Sequence, residues 1–555
     1  LILMNADFDL AVVGSGFGGS VLAMIARRLG HSVALLERGK HPRFVIGESS
    51  TPLANLLLEE LAQRYDLPCL LPLTKWGRWQ QNYPNIACGL KRGFTFLHHR
   101  FGERWLAHPE RGNELLVAAS PHDGIADTHW YRPDFDHFLV REAQAVGVEY
   151  LDQVKLERAE ISSGAVTLCG QREGAAVAVR ARFVVDASGP RGFLHRALPL
   201  SEAPFENLPP TQALYSHFSG VRRWDSLNPH PPKDEPPYPV DDAAMHHVFD
   251  GGWIWVLRFN NGITSAGVAA TDELATRLGF ADGAPAWNRL LQKLPGVREQ
   301  FATAKTERPF IHSPRLSFRS SVVAGAGWAL LPSAAGFVDP LLSTGFPLTL
   351  LGVARLAELF EHDWNSDRVS ASLERYSHRT LQELDTAEQL VAALYACMPD
   401  ARLFTAVSLL YFAAASFTEA ARRLGRSELA GPSFLLREHP RFGPQLRRCL
   451  ERVLHRKAPD RSKLIDDVYS VIEPMDIAGL ADRARRHWHD VRADDLLGAS
   501  HKLGVSKTEI EGMLRRCGFF EVQKSAEQSC VSCLPDPFTQ RREHRADNGL
   551  LGSGS

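Results

Sequence analysis

A glycine loop, the acid that follows it and a downstream pair of tryptophans are the residues whose types and spacing suggest chemistry. Gly14-Ser15-Gly16-Phe17-Gly18-Gly19 sets Gly14, Gly16 and Gly19 at GxGxxG spacing. The first permits a tight turn, the second lets backbone approach a pyrophosphate, and the third lets a helix pack on its strand. A helix N-terminus behind the loop would face the phosphate charge. Glu37 stands where a carboxylate accepts from ribose hydroxyls, and a carboxylate there disfavours a 2′-phosphate. This motif suits NAD and FAD equally. Trp253 and Trp255 are two positions apart, so on a strand both project to one face. Cys530 and Cys533 form one CxxC with no second ligand pair spaced for zinc, and no metal is expected.

Those residues need particular elements to position them. Asp9 to Val13 is a β-rich run leading into the glycines, Ser20 to Leu29 has helical apolar spacing, and Ser32 to Glu37 is a second strand ending in the acid. Together they make one βαβ unit. Pro133 to Val146 reads as a helix with Asp134 and Asp136 in its first turn. Arg182 to Gly189 is a strand ending at an acid and small residues. Gln212 to Gly220 and Trp253 to Phe259 alternate as strands, and the proline-rich stretch Asn228 to Val240 between them predicts a long surface loop. Ser321 to Leu331 is strand-like, and a helix follows through Leu359. Beyond about Ser370 helical spacing dominates, as in Leu381 to Cys397, Leu403 to Leu424 and Arg461 to Ile472.

The full set of motifs resembles the flavin-dependent halogenases, within the FAD-dependent monooxygenase-like superfamily, and phenol-type members more than tryptophan-type ones. His41-Pro42-Arg43-Phe44-Val45-Ile46-Gly47-Glu48-Ser49 matches the segment that follows the ribose acid and lies along the cofactor. Asp186-Ala187-Ser188-Gly189 resembles the second adenine-side element, and Gly336-Phe337-Val338-Asp339-Pro340 the segment at the isoalloxazine end. The resemblance implies FAD contacts from Gly14, Ser15, Gly16, Gly18, Gly19, Glu37, Arg38, Arg43, Ile46, Ser49, Asp186, Asp339 and Phe346. Phe337, Pro340, Ser343 and Gly345 match the family's F-x-x-P-x-x-S-x-G pattern, in which Ser343, Thr344 and Gly345 would hold chloride or bromide. Consecutive amides suit such an anion.

Lys91-Arg92-Gly93-Phe94-Thr95-Phe96 matches the context of the family's catalytic lysine, which makes Lys91 rather than Lys75 the expected catalytic residue. Such an amine hydrogen-bonds hypohalous acid or carries the halogen, and desolvation makes it nucleophilic. Trp253 and Trp255 match the family's G-W-x-W-x-I-P, in which they separate flavin from the substrate channel, but Leu257-Arg258 replaces the final Ile-Pro. Tryptophan halogenases carry a glutamate just before Ser-Thr-Gly; Leu342 stands here, which implies a self-activating substrate such as a phenol or pyrrole. His98 and His99, also assigned to the channel, would assist phenol deprotonation. The implied partners are a separate flavin reductase that supplies reduced FAD and a small aromatic substrate, free or carrier-bound. Two alternatives stay open: a flavin monooxygenase or dehydrogenase of the same fold, favoured by Leu342 and Arg258, and a non-catalytic flavin-fold protein that binds a lipid or protein.

The chain has 555 residues, long enough for two or three domains. The expected class is α/β: an FAD-binding Rossmann-like catalytic domain over 5–370, a β-rich substrate region inserted at about 205–320, a C-terminal helical region over 371–526 and a polar, disordered tail over 527–555. A net charge of −1 gives no reason to expect nucleic acid or an anionic membrane as partner. Eight scattered cysteines do not form a disulfide framework, which suits a reducing cytoplasm. No export signal is expected, and Leu1-Ile2-Leu3 read as residues upstream of a start at Met4. The longest uncharged run, Leu403 to Thr418, falls short of the ~18–20 residues of a bilayer span and predicts a buried helix.

Overall fold

The computed structural model describes residues 2–162, 164–230, 235–455 and 461–520, with side chains from residue 7 onward. The polar stretch 527–555 and the Cys530–Cys533 pair lie outside the described residues. Residues up to Phe520 form one compact unit.

The glycine loop begins where the strand Ile2–Val13 ends. That strand runs parallel to Val33–Leu36 on one side and to Ala175–Asp186 on the other. Glu149–Leu151 and Trp328–Leu330 extend the parallel sheet outward. The strands are near-continuous buried Val, Leu and Ala, as expected where helices cover both faces. Helices Phe17–Arg28 and Gly345–His362 pack on this sheet and on each other. The expected α/β class with a Rossmann-like unit is the observed one. Ser321 to Leu331, read as one strand, is instead a hairpin of Ala324–Gly325 and Trp328–Leu330, because Gly327 turns the chain at φ +79.

A second sheet brings together segments far apart in sequence. Its path runs Thr211–Ser219, Thr264–Thr271, Gly252–Arg258, Ala244–Phe249, Gly93–His98, Glu114–Ala118 and Trp488–His489. The tryptophan strand and the strand after Lys91 are therefore separated by one strand only. Along Gly252–Arg258, Trp253, Trp255 and Leu257 enter the main core, while Ile254 and Val256 enter a second core under the helices from Asp272 to Gln300. Sheet alternation thus sets both tryptophans on the face toward the cofactor sheet.

The proline-rich stretch is not wholly a surface loop. Tyr238 and Val240 at its far end are buried, and the Tyr238 hydroxyl donates to the Phe94 carbonyl at 2.6 Å. Beyond residue 369 helices dominate, notably Val369–Cys397 and Ala401–Arg423. Asp400 caps the latter by accepting from the Leu403 amide, and Arg422 and Arg423 complement its C-terminal dipole. That helix is apolar and long enough to cross a membrane, yet 78% of its most apolar window is buried within the fold, which marks it as a core helix.

Candidate functional site

Local backbone geometry builds one end of the site. Gly14 has φ +102, and a Cβ there would stand 2.7 Å from the Ala187 backbone, so only glycine fits the crossing. The helix Phe17–Arg28 has no side-chain cap and no acid in its first turn, which leaves its first amides to face an anion. Glu37 follows the second strand directly. Its carboxylate accepts from the Ser15 amide (3.2 Å) and hydroxyl (2.8 Å), from the Gly39 amide (2.8 Å) and from Arg43 (3.1 Å). Burial pushes the Glu37 pKa up, but Arg43 and these donors more than offset it and hold the carboxyl below its ordinary range. Arg132 pairs with Asp136 through two 2.8 Å bonds and donates to the Gly47 carbonyl at 2.8 Å. A Cβ on Gly16 would meet Arg132, Arg43 and Asp136 at 3.4 to 3.9 Å. Uncapped amides, two guanidinium groups and an acid beyond the second strand fit FAD: pyrophosphate at the loop, ribose at Glu37.

The helix Gly345–His362 joins this end to the next. Gly18 lies against it at Thr349, and Phe346 packs on Phe17 at 4.8 Å and stacks on Trp130 at 4.4 Å. Before this helix the chain is strained. Leu342 (φ 64) and Ser343 (φ 55) are left-handed, and Thr344 (φ −68) returns to the right-handed region. Bulky residues in the left-handed region cost on the order of 1–3 kcal/mol and cluster at functional sites. Left- and right-handed residues in succession turn neighbouring amides to one side, the arrangement that receives an anion. Space beside Gly345 is open, with nothing within 4 Å of a Cβ placed there. Asp339 fixes the segment. It accepts from the Leu341 amide at 3.0 Å, the Trp253 indole at 3.3 Å and the Tyr395 hydroxyl at 2.9 Å. Burial raises its carboxyl to about 7 against the pull of these donors.

Lys91 ends the strand Cys88–Lys91, where it faces Asp127 across an antiparallel pair. Gly93 then carries the chain into the large sheet. A Cβ at Gly93 would stand 2.1 Å from the Val117 carbonyl, so the turn that aims Lys91 requires glycine. Lys91 is fully buried, donates to the Ser49 hydroxyl at 2.9 Å and to the Ser50 carbonyl, and lies 3.8 Å from the Phe94 ring centroid. Burial lowers its pKa to about 7, with Asp127 opposing. Asp127 itself is raised by burial, against Lys75 and Lys91, and accepts from Asn55 at 2.7 Å. A folded-state pKa below the ordinary lysine value means the folded protein gains stability as pH rises from about 7 toward that value. His129 and His246, both buried beside Lys91, are held neutral by burial and by its charge.

A continuous wall connects the two ends. Trp253 bonds Asp339 and lies 5.0 Å from His246; His246 stacks on Phe96 at 4.5 Å and on Phe94 at 5.8 Å; Phe94 carries Lys91. Beyond Phe94 opens a cavity of about 170 Å³, closed by Thr51, Tyr411, Phe412, Met513 and Lys75 among others.

Several expected residues sit apart from this arrangement. His99 turns into the second core, bonded to His247 at 2.9 Å, which in turn bonds Gln300 at 3.0 Å. His98 packs edge-on against Phe404 and does not line the cavity. Alternation sends these neighbours to opposite sides: His98 follows Phe94 and Phe96 onto their face, packed on Phe404, while His99 enters the second core. Both are strongly disfavoured as bases, since burial pushes His98 to about 3 and His99 well below its ordinary value. Asp186 spends both oxygens on the Ser188 amide and hydroxyl and on the Leu194 amide, closing the loop beside Gly14. Ser49, expected on the cofactor, gives its hydroxyl to Lys91 instead. Arg38 is exposed, Ile46 is half-buried against the main core, and Trp255 donates to Ser265 at 3.3 Å. Arg258, where the family pattern has proline, clamps Asp241 at 3.0 Å and the Val221 carbonyl at 3.0 Å. The sequence reading missed Asp127, Arg132, His246 and Tyr395. Only Arg132 and Asp136 carried a signal, as an i,i+4 pair opening a helix.

Known proteins resemble this chain over most of its length. The tryptophan halogenase family pattern matches residues 128–402, and an NAD(P)-binding Rossmann-like pattern matches residues 12–52. The tetracycline 7-halogenase of Kitasatospora aureofaciens is 30% identical over 409 residues, covering 68% of this chain and 72% of that protein. The monodechloroaminopyrrolnitrin halogenase of Pseudomonas fluorescens is 29% identical over 414 residues, covering 73% and 70%. The fold matches that of the halogenase PltM, crystallised with phloroglucinol and FAD, with a TM-score of 0.76 at 24% identity over 87% of this chain and 99% of that one.

Proposed function

This chain belongs to the flavin-dependent halogenases, and we propose that within that family it halogenates a phenol through Lys91. It is an FAD-dependent halogenating oxidoreductase that uses a halide. FAD, supplied reduced by a separate reductase, would with molecular oxygen provide the oxidising equivalents that convert chloride or bromide to hypohalous acid. The residues of the chain divide the remaining work. Glu37, Arg43 and the glycine loop bind the cofactor. The amides of Thr344 and Gly345, beside Ser343, hold the halide. The aromatic wall from Trp253 through His246 to Phe94 keeps water from the path. Lys91, neutral above about pH 7, offers its electron pair to the halogen of hypohalous acid. The oxygen–halogen bond breaks, hydroxide leaves as water with an amine proton, and the nitrogen-bound halogen then passes to a ring carbon, whose proton returns to the Lys91 nitrogen.

The observation that carries the phenol reading is Leu342. It is fully buried and held left-handed immediately before Ser343-Thr344-Gly345, where an indole halogenase has a glutamate. An apolar side chain there cannot take a proton from a poorly activated carbon, so the substrate must bring its own donor group. The phloroglucinol bound to the solved halogenase is such an arene. The substrate is a small aromatic, free or carrier-borne.

Competition tests this reading. Protein, FAD, a flavin reductase and bromide are given equimolar tryptophan and resorcinol, and products are read by their halogen isotope patterns. Resorcinol is expected to react about a hundredfold faster, ~3 kcal/mol in activation free energy. Equal or preferred conversion of tryptophan overturns it.

A further inference from the structure

A lysine other than Lys91 lines the cavity beyond Phe94. Lys75 precedes the helix Trp76–Asn82 and lines the cavity. Four charged groups surround it: Arg423, Glu419, Asp127 and Glu59. Each of the acids is engaged elsewhere. Glu419 accepts from Arg423 at 2.8 Å, Glu59 from Arg423 at 3.5 Å, and Asp127 from Asn55 at 2.7 Å while facing Lys91. Among the described residues the Lys75 amine has neither a hydrogen bond nor an ion pair. The nearby wall is apolar, with Phe94, Phe412, Met513 and Leu514. An unpaired amine in such surroundings lacks a structural duty, and a cavity with one such group has a defined orientation for a guest.

We infer that Lys75 is a further catalytic residue: its amine takes the proton of the substrate's phenolic hydroxyl and, as an ammonium, holds the phenolate oxygen. This rests on the phenol reading above. The oxygen–hydrogen bond breaks and a nitrogen–hydrogen bond forms, so the pair stays neutral overall. The ring then lies in the cavity beside Phe94, the residue that also borders Lys91, with electron density raised at its ortho and para carbons. After halogen transfer the ring carbon loses its proton, and Lys75 returns its own to the product oxygen. Burial and the Arg423 charge both push the Lys75 amine toward its neutral form, as a base requires. The activation that a carboxylate at position 342 provides late in indole halogenation is provided here before the halogen arrives.

A nitrophenol whose colour reports its ionisation tests this on the FAD-loaded protein, with no turnover. In the wild type it is expected to bind as phenolate at a pH where it is neutral in solution. Lys75→Met is expected to bind it as the neutral phenol, and to lose roughly a hundredfold in phenol kcat/KM, the loss shrinking as pH rises past the phenol's own pKa, where the substrate arrives already ionised. Lys75→Arg is expected to keep phenolate binding. Neutral phenol bound to the wild type, or phenolate bound equally by Lys75→Met, overturns the role of Lys75 while leaving the phenol reading intact. No binding or halogenation of any phenol by the wild type overturns both. Should Lys75→Met not fold, Lys75→Gln is read in its place, and phenolate bound by it as in the wild type overturns the role of Lys75.

Discussion

The cofactor end and the lysine end of this site do comparable electrostatic work with opposite construction. At the glycine loop most contacts come from one βαβ unit and the segment after it, where Ser15 and Arg43 both bond Glu37, with Arg132 and Asp136 added from a later helix. At Lys91 the partners are Ser49, Ser50, Asn55, Phe94, Asp127 and His246, gathered by two sheets from widely separated segments. Charge differs too. Glu37 is held ionised by Arg43 and surrounding donors, while burial pushes Lys91 and Asp127 each toward neutrality. A binding site for a charged cofactor stabilises charge; a relay for an electrophile needs a free electron pair and excludes water. The difference teaches that the proposed cofactor end is built largely from contacts local in sequence and the lysine end from tertiary ones.

Breaking the local end has the largest expected effect. Gly16→Val places a branched side chain against Arg132, Arg43 and Asp136, and FAD binding should weaken at least about a thousandfold, ~4 kcal/mol. Flavin fluorescence titration measures it, and normal affinity would remove the loop from the cofactor site. At the other end Asp127→Asn leaves Lys91 bonded but deletes the carboxylate that raises its pKa. The rising limb of halogenation should then move to lower pH, with product formation below pH 7 up by about fivefold, ~1 kcal/mol. An unmoved limb would separate Asp127 from Lys91. The smallest effect belongs to a residue outside both ends. His99→Gln disturbs the His247–Gln300 chain in the second core and should cost about 1 kcal/mol of stability by thermal unfolding, with the halogenation pH profile unchanged. A shifted profile would bring His99 back into the channel.

The same contrast explains what could be read from sequence. The glycines, Glu37 and the strands beside them were legible because their spacing alone fixes a turn, a helix start and a strand end. The tryptophan face was legible because sheet period is two. Asp127 was not, since a strand of Asp-Thr-His-Trp announces neither its pairing partner nor its burial. Nearness of His98 and His99 to Lys91 in sequence did not carry over to contact, since Lys91 ends one strand and His98 ends the next, in another sheet. Lys75 lacks the motif that follows Lys91, and its place beside the helix Ala401–Arg423, more than 300 positions downstream, could not be read from its neighbours in sequence.

The central claim, that cofactor chemistry and halogen transfer are separate stages joined at Lys91, is tested most directly by one ratio. Halogenated product per oxygen consumed is measured from about pH 6 to 9 in the wild type and in Lys91→Met, with a thioether scavenger removing released hypohalous acid. The account predicts a wild-type ratio that climbs through about pH 7, as the Lys91 amine loses its proton. It predicts a ratio near zero at every pH in Lys91→Met, with oxygen consumption within about twofold of wild type and the loss in transfer about a thousandfold, ~4 kcal/mol. A Lys91→Met ratio that matches the wild type, or a wild-type ratio flat across that range, would contradict it.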